Sequence, residues 1–188
     1  MGPQHTASSK KGAAKLGAVL VHADEASFRQ DSTIFRTWSR QGHRPTILTT
    51  GCRNTQHIYG AIALETCHFT YHFASVFNGS TFLVFLRQVL TVFAPRPVFL
   101  ILDNARYHKH PEVQAWCHHH RERLRLWFLP PYWPELNATE RLWGHVRQQS
   151  THNRFFATTT QLVAALRNAF RTIQRHPDTI DAYLQPYR

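Results

Sequence analysis

Asp24 and Asp103 occupy the same kind of place in the chain. The first closes the apolar run of Val19, Leu20 and Val21, and the second follows Val98-Phe99-Leu100-Ile101-Leu102 without a break. A carboxylate at the mouth of an apolar strand loses hydration, so its charged form needs a cation or hydrogen-bond donors. Two such acids at neighbouring strand ends repel each other, and a divalent ion is the natural remedy. A plainer role is also open: Asp103 can accept from the backbone near Ala105, as in an Asx turn, with no chemistry attached.

Two further acids lie in "LPPYWPELNATERLWGHVRQQ", residues 129–149. Asn137 and Glu140 have the spacing of a helix N-cap and its third residue, a capping box that needs no catalysis. Glu135 reads as an exposed turn residue beside Pro134. Tyr132, Trp133 and Trp143 read as core and rim packing rather than as platforms for stacked bases. His118, His119 and His120 point in three directions from a helix and share no ion well, so they read as a solvated basic face. His108 is different, because it sits five residues beyond Asp103 on the same loop and can approach it. No GxSxG, P-loop or GxGxxG motif is present.

The elements that must position these residues follow from periodicity. "GAVLVHADE", "QHIYGAIALET" and "CHFTYHFASVF" read as three strands, with a turn near Glu65 to Cys67. The intervening "SFRQDSTIFRTWSRQGHRPTIL" reads as loop with short strands. "NGSTFLVFLRQVLTVF" has helical spacing at 82, 83, 85, 86, 89, 90 and 93, with Ser80 as a candidate N-cap and Pro95 and Pro97 as stops. A buried strand, "VFLILDNARYH", precedes a polar helix, "HPEVQAWCHHHRERLR", and a last strand, "LRLWFLPPYWP". "NATERLWGHVRQQS" and "TTTQLVAALRNAFRTIQRH" close the chain as helices. Three strands in succession suggest an antiparallel meander, and strands separated by helices join in parallel. The expectation is an α/β, ribonuclease-H-like fold: a mixed five-stranded sheet flanked by helices.

Charge points to the partner. Lys and Arg number 22 against 11 Asp and Glu, a formal +11 that favours a polyanion, most simply nucleic acid. Cys52, Cys67 and Cys117 are widely spaced and odd in number, which fits a reducing interior better than a disulfide framework. The longest apolar segment is interrupted by Arg87 and Gln88 and is too short to span a bilayer. Residues 1–16 have no apolar core, so they read as a frayed or partial lead-in rather than a secretory signal.

The blocks "HADEASFR", "RTW", "GHRP", "LILDNARYHK" and "LPPYWPELNATERLWGHVR", in that order, resemble the catalytic domain of mariner-like bacterial insertion-sequence transposases, the DDE superfamily endonucleases. The similarity runs from about Gly17 to about Leu166, and the catalytic domain is expected over 17–188. The resemblance implies that Asp24, Asp103 and Glu140 are the catalytic acids and metal ligands, with Glu25 a weaker claimant for the first place. It implies Mg²⁺, with Mn²⁺ as substitute, bound as two ions for cleavage and strand transfer of DNA in the cytoplasm. Asn104, Arg106, His108, Lys109, Arg141 and Arg147 are candidates for supporting an acid or contacting phosphate. Trp133 and Ala138 stand where the family usually has Ser and Pro. Family members also carry an upstream helix-turn-helix region that reads transposon ends, with no room for it here. A homodimer or partner supplying that function is therefore expected. Two other readings stay open: a fragment that binds DNA or a partner without cutting, and another ribonuclease-H-like nuclease.

Overall fold

The computed structural model describes residues 17–31, 33–130 and 138–185. Five strands form one sheet in the order β3-β2-β1-β4-β5. β1 (Val19–Arg29), β2 (Thr55–Ala63) and β3 (Phe69–Ala74) make the antiparallel meander. β4 (Val98–Leu102) and β5 (Leu124–Phe128) add in parallel beside β1. The connections are helical: α1 (Gly79–Val92) leads to β4, and α2 (Pro111–His119) leads to β5. α3 (Ala138–Ser150), α4 (Thr159–Arg175) and α5 (Asp178–Leu184) complete the chain.

Two cores result from strand alternation. Val19, Val21, Tyr59, Val98 and Leu100 face α1 and α2, where Phe82, Phe85, Leu86 and Val89 fill the layer. Leu20, Phe28, Ile58, Phe99 and Ile101 face the other way, onto Leu142 and Trp143 of α3 and Leu162, Leu166 and Phe170 of α4. Covered on both sides, β4 has no exposed residue, which is why its sequence is uninterrupted by polar groups.

Three details differ from the sequence expectation. The first strand does not end at Asp24 but runs on to Arg29, because Asp24 to Arg29 still pair with β2 after pairing with β4 has stopped at His22. Among the described residues of the 27–48 stretch only the tail of β1 is strand; the rest is irregular. The cap of α1 is Asn78, not Ser80: its side chain accepts from Thr81 N at 2.9 Å while Thr81 Oγ1 accepts from Asn78 N at 3.2 Å. The reciprocal pair satisfies donors at both ends of the turn. Asn137, Glu135, Tyr132 and Trp133 lie outside the described residues. Among those described, no helix is long and apolar enough to cross a membrane.

Candidate active site

The parallel register of β1 and β4 decides where the acids meet. Val19 pairs with Val98 and His22 with Ile101; continuing that register by two residues sets Asp24 opposite Asp103. Asp24 lies on the face covered by α3, and Trp143 Nε1 donates to its Oδ2 at 3.2 Å. Burial, reinforced by the charges of Glu25, Asp103 and Glu140, pushes the Asp24 carboxyl up to about 7. The charges of Asp103 and of Glu140, an exposed residue in the first turn of α3, thus both act on Asp24.

Glycine makes this approach possible. Gly60 of β2 pairs with Asp24, and a Cβ there would stand 2.5 and 2.6 Å from two ring carbons of Trp143. The indole packs against bare backbone at a distance that a side chain at position 60 would not allow.

Asp103 is half-exposed and is held through Oδ1. Ala105 N donates to it at 2.9 Å, the Asx turn anticipated from the sequence, and His108 Nδ1 lies 3.3 Å away. The His108 hydrogen bond, opposed by burial and helped by Ala105 N, keeps the carboxyl below the usual aspartate value. His108 comes from a 3₁₀ turn, Arg106–Lys109, and is 1% exposed. Its Nε2 is 2.8 Å from Glu25 Oε1, which also accepts from the Tyr107 hydroxyl. Burial alone would push this imidazole down, but the bonds to Asp103 and Glu25 outweigh it and raise it to about 9. His108 is clasped between two carboxylates, and both contacts favour its protonated form.

Two donor sets could hold a metal. Glu25, Asp103 and His108 offer ligand atoms all within 4.8 Å of one another. In that set a proton on the imidazole already compensates the carboxylates. Asp24, by contrast, has the charges of three acids around it, offset in part by the Trp143 indole, the Glu25 backbone N–H and the charge of Arg147, and a divalent cation would relieve the rest.

The remaining candidates are placed differently. Asn104 does not orient Asp103: its Nδ2 donates to Leu129 O, and its Oδ1 accepts from Lys109 Nζ at 2.7 Å, so it ties the end of β4 to the end of β5. Lys109 also lies over the Phe128 ring. His108 is too deeply buried to meet a phosphate and supports Asp103 from beneath. Arg106 and Arg141 are exposed. Arg147 is half-buried over the Phe28 ring at 5.0 Å and feels the charge of Asp24. Reading the sequence alone missed Trp143 as a partner of Asp24 and Tyr107 as a partner of Glu25. The only signal for the first was Gly60 in the middle of a strand pattern.

Residues 19–163 match the family model described as DDE superfamily endonuclease. The chain belongs to that family. It is 24% identical over 159 residues to the insertion element IS630 uncharacterized 39 kDa protein of Shigella sonnei, covering 84% of this chain and 46% of that protein. It is 32% identical over 78 residues to the uncharacterized protein y4pE/y4sA of Sinorhizobium fredii, covering 42% of this chain and 54% of the relative. The chain thus spans about half the length of the curated relatives it matches. The Mos1 mariner paired-end complex with Mn superposes with a TM-score of 0.62 at 13% identity, over 96% of this chain and 59% of that one. The corresponding complex with Mg gives 0.58 at 14%, over 98% and 61%. At these identities the likeness concerns the fold, and the fold of this DDE endonuclease domain is ribonuclease-H-like.

Proposed function

We propose that this domain is the catalytic part of an insertion-sequence transposase, and that Asp24, Asp103 and Glu140 are its metal ligands. The observation that carries the reading is the state of Asp24: an acid drawn into a partly buried position, surrounded by other acids, in a chain of formal charge +11. Proteins tolerate such an arrangement where a cation is to be bound. The Mos1 relatives solved with Mn and Mg support the choice of ion.

Bound divalent ions, two Mg²⁺ or Mn²⁺ in this reading, supply Lewis acidity for attack on phosphorus and neutralise charge at the leaving oxygen. The chain's own residues fix the geometry. The β1–β4 register sets the spacing of Asp24 and Asp103. His108, held by Glu25, fastens Oδ1 of Asp103 and leaves that carboxylate one orientation. Trp143 fastens Oδ2 of Asp24 and covers it from water. Glu25 and His108 are thus positioning residues, not ligands. DNA is the substrate in this reading, with a second copy or a partner taking part in recognition of the element's ends.

Asp103→Asn tests it. The variant should keep its fold and its DNA affinity while losing Mg²⁺-dependent cleavage of a duplex bearing the element's end. Retained cleavage would place the chemistry elsewhere, and cleavage of an RNA–DNA hybrid in preference to duplex DNA would make the domain a different nuclease.

A further inference from the structure

The two edges of the sheet are finished differently. On β3 the backbone carbonyls that face away from β2 are taken: Phe69 O accepts from Gln174 Nε2 at 3.1 Å and Tyr71 O from Gln88 Nε2 at 2.9 Å. Gln174 comes from α4 and Gln88 from α1, so each helical layer sends a side chain to close that edge. β5 is the opposite edge. At its two ends Arg123 O accepts from Val98 N and Leu129 N donates to Leu102 O, both at 2.8 Å. Bonding along a parallel ladder alternates between residues, so Arg125 and Trp127 also turn their peptide groups to β4, while Leu124, Leu126 and Phe128 turn theirs outward. Leu124 N finds His120 O at 2.9 Å. Among the described residues no partner bonds Leu124 O or the N–H and C=O of Leu126 and Phe128.

An unguarded edge is a template for another strand, and the sequence of this one is complementary to itself. Laid antiparallel to a second copy about Leu126, the outward groups of the two Leu126 residues exchange a pair of bonds, and on either side Phe128 N reaches Leu124 O of the second copy. The side chains agree with the backbone. Leu124 stands opposite Phe128, on the face where both belong to the core beneath α1 and α2. Arg125 stands opposite Trp127 on the other face, at the sites without hydrogen bonds, where facing side chains come nearest. Arg125 is exposed and Trp127 half-buried, so each copy offers a cation to the indole of the other. Laid parallel and in register, the same strands would set Arg125 beside Arg125.

We infer that β5 is a contact between two copies of this chain, which join their five-stranded sheets antiparallel about Leu126. The twofold axis passes through the sheet, so α2 of both copies lies on one face. Asp103 follows the end of β4, which runs parallel to β5, so the two acidic sites open at opposite ends of the joined sheet. Each copy carries a formal +11 and opposes the other at long range, so the contact is weak and tightens as salt screens that charge. At the seam itself the arginines meet indoles and not one another.

The test is sedimentation of the whole chain in EDTA and about 0.15 M salt, loaded at about 10–300 μM, the range of a weak interface. Wild type should pass from 21.9 kDa toward twice that mass as its concentration rises. Trp127→Glu sets a carboxylate opposite Arg125 of the second copy, and Trp127→Lys sets a second cation there. One facing pair changes an equilibrium by up to about 5-fold, and the symmetric contact holds two, so the lysine variant should dimerise about 10-fold or more weakly than the glutamate variant. Arg125→Glu/Trp127→Lys, which exchanges the two charges, should recover what Trp127→Lys loses. Both single variants remove the same indole from the domain, so a shared loss of stability cannot produce the difference between them. A wild type that stays monomeric throughout overturns the inference and leaves the edge to an extended segment of another protein. Equal dimerisation of the lysine and glutamate variants overturns it as well, because the copies would then meet elsewhere, and so does a double variant that recovers nothing. None of these results depends on metal or cleavage, so the Asp103→Asn outcome stands apart from them.

Discussion

Replacing Asp24 with Asn should stabilise the metal-free protein. The Asp24 carboxyl is raised to about 7 by burial first and then by Glu25, with Asp103 and Glu140 adding to it. Because this exceeds the unfolded value of 3.8, the native state holds a proton that the unfolded chain releases. Stability contributed by that proton is present below about pH 4, declines as pH rises toward 7, and is gone above 7. Three units at 1.36 kcal/mol each set a ceiling of about 4 kcal/mol. Residual water and the Trp143 donor reduce this to about 2 kcal/mol. Asn carries no charge at any pH, so its advantage should be near zero at about pH 4 and about 2 kcal/mol at about pH 8. For a chain of this size that is a rise in Tm of about 4–8 °C.

Thermal melting in EDTA at the two pH values measures it. Added Mn²⁺ should then reverse the order at alkaline pH: wild type gains about 2.7 kcal/mol at a hundredfold excess over Kd, and the variant gains little. A variant less stable than wild type at about pH 8 in EDTA would refute the reasoning, since Asp24 would then be satisfied by the protein itself. So would an equal gain from Mn²⁺ in both proteins, because the ion would then bind without Asp24.

Two further outcomes concern the supports of the site. The His108 imidazole, raised to about 9, should contribute stability that is complete below its ordinary 6.5 and is lost as pH passes through 9; its ring proton resonances should titrate near 9, and Glu25→Gln should bring that midpoint down. Gly60→Ala places a methyl in the Trp143 ring and should cost about 1–3 kcal/mol of stability, with weakened metal binding where Leu86→Val, a core change of α1 on the other face of the sheet, costs stability alone.

Much of this was legible from residue order. Strand and helix alternation gave the meander, the parallel additions and Asp103 at the end of its strand, because a doubly covered sheet leaves uninterrupted apolar runs such as Val98 to Leu102. The length of β1 was not legible: Ala26 and Phe28 still point into the core past Asp24, but Ser27, Arg29 and Gln30 between them dilute the pattern. The cap of α1 moved from Ser80 to Asn78 because both are good caps and only the backbone conformation at 78 distinguishes them. The clasp of Glu25 on His108 joins residues 83 positions apart, a contact that no local spacing encodes. Asn104 shows the opposite failure, where proximity in sequence to Asp103 suggested a partnership and its amide spans to β5 instead.

Adjacent acids on a strand point to opposite faces, and that alternation separates the fates of Asp24 and Glu25. Glu25 falls on the side of Tyr107 and His108, where an imidazolium meets it. Asp24 falls on the side of α3, where it meets the neutral Trp143 indole and feels the charge of Arg147. Trp143 cannot rotate out of that contact, because Leu142, Val146 and the bare backbone of Gly60 fix the depth and the roll of the helix. Glu140 lies one turn before Trp143 on the same face, so the packing that seats the indole also fixes where this carboxylate emerges. A helix rolled by one residue, about 100°, would bury Glu140's neighbour and carry the acid away from Asp24. The packing that seats the indole therefore also sets where Glu140 leaves the helix, and the residue that docks the helix is Trp143.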